Sequence, residues 1–159
     1  MRPRACYPQE YVMKTTPPIS YWLVSFVLLL WGFAGVTIYI AYFIETPAEF
    51  ALTAETAANR DAYAKYVANI PFWAIAVGIC AAVTRLLGAI ALLFRRAWSL
   101  PLYVISGIFF LLALFRAFVL ANVASVMSGG HIAIEVVFLA LSLFAIWFSH
   151  RHKALGTLS

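Results

Sequence analysis

The 159-residue chain has length for one domain, and 65% of it is hydrophobic against 11% charged. A soluble domain carries about 25% charged residues, so a water-soluble fold of this size has nowhere to bury so much apolar surface. The formal net charge of +5 does not point to nucleic acid, because the basic residues sit at the tips of apolar runs instead of along one face interleaved with aromatics.

The first dozen residues are unlike the rest. Met13-Lys14 followed by Thr15-Thr16-Pro17-Pro18 makes a natural start, so residues 1–12 are expected to be a disordered extension or a misassigned start of an 18-residue cytoplasmic tail. Four apolar runs then follow, at 19–44, 71–94, 100–127 and 132–148. A bilayer core of about 30 Å needs roughly 20 helical residues to cross it. Backbone in lipid must satisfy its own hydrogen bonds, so these runs are predicted to be helices. The fold class expected is an all-α, polytopic four-helix membrane bundle. Its first run exceeds the 7–15 residues of a signal-peptide core and is expected to remain as an anchor.

Orientation follows from the Lys and Arg count in the connections. Arg2, Arg4 and Lys14 precede the first run, Arg95 and Arg96 separate the second and third, and Arg151 and Lys153 follow the fourth. The segment 45–70 instead holds Arg60 and Lys65 against Glu45, Glu49, Glu55 and Asp61, and the turn Ser128-Gly129-Gly130-His131 has no Lys or Arg. Both termini, including the tail 150–159, are therefore predicted to be cytoplasmic. The external segment 45–70 opens with a helix-start pattern, Thr46-Pro47-Ala48-Glu49. Further on, Tyr63, Tyr66, Val67 and Ile70 recur at helical spacing, which predicts one or two short amphipathic helices on the outer membrane surface. The predicted topology puts Cys6 on the cytoplasmic side and Cys80 at membrane depth, so the two are not expected to pair. Cys80 reads as a small packing residue.

Three ionisable residues fall inside the spans. Each costs about 2.5–3.5 kcal/mol at the bilayer centre, so each is expected to face the bundle interior with a partner. Arg85 shares a helical face with Gly78, Ala81, Ala82, Gly88 and Ala89, a stripe of small residues that lets another helix approach. It has no carboxylate at its own depth. Its candidate partners are backbone carbonyls, an anionic ligand, a lipid phosphate or an acid on another protein. Arg116 and Glu135 fall roughly 4–5 Å and 7–8 Å from the midplane, in the same half, and are expected to form a structural ion pair between neighbouring helices. His131, Glu135, Ser142 and Ser149 lie on one face. With Arg116 they make a candidate polar cavity wall, or simply a line of interhelical hydrogen bonds. Small-residue ridges at Ser25, Gly32, Gly35 and Tyr39, and at Ala113, Ala117, Ala121 and Ser125, signal helix association within or between chains.

Some motifs in the chain mark architecture more than chemistry. These are Thr16-Pro17-Pro18-Ile19-Ser20-Tyr21-Trp22, Thr46-Pro47-Ala48-Glu49, Ile70-Pro71-Phe72-Trp73 and Leu100-Pro101-Leu102. In them the chain resembles a group of small bacterial four-helix membrane proteins, some labelled sugar transporters. The resemblance implies residence in a bacterial inner membrane and supplies no catalytic residue. No Walker loop, GxSxG, HExxH or metal-ligand spacing occurs, and His150 and His152 flank Arg151 in a basic tail suited to anionic lipid. An enzyme, a cofactor and a metal are therefore not expected. The expected roles are first an accessory or regulatory subunit of a larger membrane complex. The second is a homo-oligomeric carrier of a small anion or sugar, using Arg85, Arg116, Glu135 and His131. A membrane enzyme or redox carrier comes last.

Overall fold

The computed structural model describes residues 17–44, 57–125, 127 and 129–158, with the side chains at 42–44, 57–59 and 131 outside the description. It is an all-α, multi-pass membrane bundle. Its elements in chain order are α1 (Ile19–Ile44), α2 (Ala57–Ala68), α3 (Phe72–Leu93), α4 (Ser99–Phe115) and α5 (Gly129–Ala154). α4 runs on into a π-helical turn, Arg116–Leu120, and then a 3₁₀ turn, Val123–Ser125. Four of these helices are long and apolar enough to cross a membrane: Ile19–Ala41, Phe72–Leu93, Ser99–Leu120 and Ile132–Ala154. The 22 residues of α3 make a rod of about 33 Å, matched to the hydrocarbon thickness.

α3 sits between α1 and α4 because its small residues leave room on both sides. Its buried face is Ala74, Gly78, Ala81, Ala82, Arg85, Gly88, Ala89 and Leu92, the stripe legible in the sequence. A Cβ on Gly32 of α1 would lie 3.1 Å from the Leu86 Cα, so that glycine sets the α1–α3 spacing. Ser106 of α4 donates 2.8 Å to the Ala81 carbonyl, and the Tyr103 ring lies against Gly88. The opposite faces carry Leu23, Phe26, Val83, Leu87, Ile108 and Val136, all exposed. In a membrane protein that apolar perimeter faces lipid. Cys80 is exposed on the same perimeter and does not fill an internal gap.

The hydrophobic core lies at the end of the bundle where the chain finishes. Tyr21, Leu28 and Trp31 of α1 meet Ala89 and Leu92 of α3, Tyr103 of α4 and Ala145 and Phe148 of α5 there, with Leu158 inserted from the tail. Tyr21 is fully buried and donates a 2.5 Å hydrogen bond to the Leu92 carbonyl. The tail thus closes the bundle as well as trailing from it, because α5 ends in a reversal at Gly156 (φ 70°).

The helix limits differ from the sequence reading at two places. The third span gives up α-geometry at Arg116 and ends at Leu120, whereas the apolar pattern runs to 127. The fourth helix begins at Gly129 and continues through the basic residues to Ala154. Hydropathy marks where lipid is tolerable, and helical hydrogen bonding does not have to stop there. The expected start of the external helix at Thr46-Pro47-Ala48-Glu49, the first 12 residues and Cys6 lie outside the described residues.

Candidate functional site

The bundle is solid at the tail end and hollow towards the other. A cavity of about 240 Å3 opens between α1, α3, α4 and α5 beneath α2. Its polar wall is made by Tyr39 of α1, Tyr63 and Tyr66 of α2, Arg85 of α3, Arg116 of the π turn and Glu135 of α5. The remainder of its wall is apolar, including Ile38, Ala113, Phe110 and Phe138. Within the segment expected to carry short helices, α2 forms at Ala57–Ala68. Val67 is buried, and Tyr63, Tyr66 and Val67 face the cavity. The helix therefore turns these side chains onto the open end of the bundle and roofs it. Aromatic side chains that would favour the headgroup region find a better-packed partner in the open end of the bundle.

Arg85 is 4% exposed. Its guanidinium lies 4.2 Å from the Trp31 ring centroid and 5.3 Å from that of Phe110. Gly35 of α1 supplies the space for it, since a Cβ there would stand 3.4 Å from the Arg85 terminal nitrogen. Aromatic faces stabilise a desolvated guanidinium through the ring quadrupole but take none of its hydrogen bonds. Consistent with that, the Arg85 Nε is buried with no hydrogen-bond partner among the described residues. A helix tilts its side chains towards its own N-terminus. Arg85 therefore reaches from mid-span towards α2, while Arg116, on the antiparallel α4, reaches down into the same space.

Arg116 is buried and donates from Nη1 to the Tyr66 hydroxyl at 2.7 Å, with its guanidinium 4.9 Å from the Tyr66 ring. The Ala121 N–H donates to the Arg116 carbonyl at 3.0 Å, the five-residue step of a π-helix. That wider turn carries Arg116 onto the inner face at the point where an α-helix would be leaving it. Burial pushes the Tyr66 phenol above its usual range, and the nearby Arg116 charge partly offsets this. Burial likewise raises Tyr63. The hydroxyl that meets Arg116 is thus held in its neutral form.

The expected Arg116–Glu135 ion pair is corrected by this geometry. Both side chains line the cavity, yet among the described residues the hydrogen bond of Arg116 goes to Tyr66 and no ion pair joins it to Glu135. The π turn and the α2 roof bring a phenol 50 residues away closer than the carboxylate across the hairpin. Arg85, Arg116 and Glu135 are therefore brought together around one space without neutralising one another directly. The side chain of His131 lies outside the described residues. On the rest of its face, Ser142 bonds back to the Phe138 carbonyl at 2.9 Å and Ser149 is fully buried, so that lower half is packing.

Sequence reasoning left the aromatic members out of the site. Tyr39 reads as part of a packing ridge and Tyr63 and Tyr66 as a membrane-facing stripe, while Trp31, a lone ring inside a span, has no pattern that sets it apart from packing. The one available signal was that Arg85 had no carboxylate at its depth, which leaves aromatic faces among the few remaining ways to hold a guanidinium. No protein-family model, curated protein or solved structure matches the chain.

Proposed function

We propose that the chain is a carrier for a small anionic solute in a bacterial inner membrane, with both termini cytoplasmic, working as a homo-oligomer and without enzymatic activity. One observation carries the reading: Arg85 is buried inside its own chain and lines a cavity, and its Nε has no hydrogen-bond partner among the described residues. An ionised side chain at membrane depth is expensive and reads by default as a functional site, solute paths among them. The orientation rests on charge. The end of the bundle that holds the tail also gathers Arg95, Arg96, Arg151 and Lys153, and lysine and arginine are retained on the cytoplasmic side. The hollow end then faces outward beneath α2.

The test is uptake of labelled acetate, lactate, phosphate and a neutral sugar by the purified protein in proteoliposomes. Uptake of an anion that disappears with Arg85→Ala, in protein that still inserts and accumulates, supports the carrier. Sugar uptake indifferent to Arg85 overturns the anion reading.

An accessory-subunit role is the second reading, favoured by the broad apolar perimeter. On that reading Arg85 would reach an acid on a second protein, whereas its burial within the chain favours a solute. A stoichiometric second protein, retained in a gentle-detergent pull-down and released by a change on the perimeter, would move the weight to this reading.

A further inference from the structure

We propose that the tail end of the bundle is a docking surface for anionic phospholipid, and that lipid held there keeps the tail closed on the core. The surface is separate from the cavity, and two segments build it. In the turn from α3 to α4, the exposed Arg96 stands in the chain between the exposed rings of Phe94 and Trp98. At the end of α5, Arg151 and Lys153 are exposed, and the Arg151 guanidinium lies 5.4 Å from the centroid of the exposed Trp147 ring. Tryptophan rings settle at the headgroup level of a bilayer. Each segment therefore sets its cations beside a ring that fixes their depth, level with the lipid phosphates.

Charge selects the partner. Among the described residues the side-chain carboxylates are Asp61 of α2 and Glu135 of the cavity wall, both at the hollow end, so no described acid offsets the cations at the tail end. Near an anionic bilayer each basic residue strengthens attraction about fivefold. A free phosphate in water would meet the cations alone. A phospholipid sets its phosphate on them and its acyl chains on Phe94 and Trp98, each 73% exposed. The same residues connect the surface to the tail. The Arg95 Nε bond to the Thr157 carbonyl, at 3.1 Å, ties the two segments together. The bonds that close the tail return to the last turn of α5: Leu155 to Arg151, Gly156 to Lys153 and Thr157 to His152. Anchoring the Arg151 and Lys153 side chains at the headgroups therefore holds the turn whose carbonyls accept those bonds, and with it Leu158 in the core.

The experiment uses the full-length protein in nanodiscs of phosphatidylcholine, with and without phosphatidylglycerol. One readout is the lipid retained on the protein by native mass spectrometry, and the other is the rate at which carboxypeptidase trims the tail. Phosphatidylglycerol is expected to be retained in preference to phosphatidylcholine and to slow trimming severalfold. Neutralising the surface with Arg96→Gln, Arg151→Gln and Lys153→Gln together is expected to remove both effects. The charge-keeping pair Arg96→Lys and Arg151→Lys is expected to preserve them. Equal retention of the two lipids, or a phosphatidylglycerol effect that survives the triple change, overturns the docking surface. If inorganic phosphate or an oligoglutamate peptide slows trimming as well in phosphatidylcholine discs, the cations serve a soluble anion or an acidic protein, and lipid is the wrong partner. Preferential retention with an unchanged trimming rate overturns the link to tail closure.

Discussion

Single atoms decide much of the packing at the two ends of this bundle. Tyr21 places a hydroxyl against the Leu92 carbonyl in a fully buried setting, and a hydrogen bond of this kind contributes about 1 kcal/mol. Tyr21→Phe keeps the ring against Phe148 (centroids 5.7 Å apart) and loses the hydroxyl that makes that bond. It is expected to lower the midpoint of thermal unfolding in detergent by a few degrees without affecting insertion. At the hollow end, the Tyr39 phenol occupies the space a Cβ on Gly78 would need. Gly78→Ala should therefore destabilise by about 1–3 kcal/mol through overpacking. Combining it with Tyr39→Ala should recover most of the loss. A double variant no better than Gly78→Ala would show that the contact does not limit the site.

The ends of α3 and α5 are built alike, at the scale of the element. Each closes with a residue in the left-handed region, Arg95 (φ 56°) and Gly156 (φ 70°). Each shows the paired bonds of a Schellman cap: Arg96 to Ala91 and Arg95 to Leu92 in one, Thr157 to His152 and Gly156 to Lys153 in the other. The caps meet, because the Arg95 Nε donates to the Thr157 carbonyl at 3.1 Å. Glycine adopts this conformation freely and alanine does not. Gly156→Ala is expected to cost about 1 kcal/mol and to loosen Leu158 from the core, read as faster carboxypeptidase trimming of the tail. An unchanged trimming rate would mean that Leu158 holds without the cap. The π turn is the counterpart on α4: one wide turn reorients Arg116 without breaking the chain of backbone bonds that lipid demands.

At the scale of the whole molecule the two ends differ in chemistry. One is basic, capped and filled, and the other is roofed by α2 over a cavity. The proposed orientation predicts that a cysteine at Lys65, an exposed position on α2, reacts with an impermeant maleimide added to intact cells. A cysteine at the equally exposed Lys153 should react only after permeabilisation, both in a background lacking Cys6 and Cys80. The reverse pattern would invert the topology and place the cavity on the cytoplasmic side. The α2 roof carries a second expectation. Tyr66→Phe removes the acceptor for the Arg116 bond while keeping the ring. Freeing Arg116 towards the cavity should lower the half-saturating anion concentration in the proteoliposome uptake assay, and an unchanged value would show that Tyr66 does not hold Arg116 away from the solute.

Composition and periodicity determined the class of this protein. Apolar runs of about twenty residues admit only helices in lipid, and Arg85 with its small-residue neighbours marked the buried face of α3 in advance. The seating of α2 over the cavity, the break in α4 and the partners of the charged residues were decided by tertiary structure. Arg116 meets Tyr66 from 50 positions away, and Arg85 meets Trp31 from another helix. No local pattern encodes such a pairing. Hydropathy reports the cost of leaving water, which is a property of each side chain alone. The choice between a carboxylate, a phenol and an aromatic face depends on which helix arrives at a given depth, and packing of the whole bundle sets that.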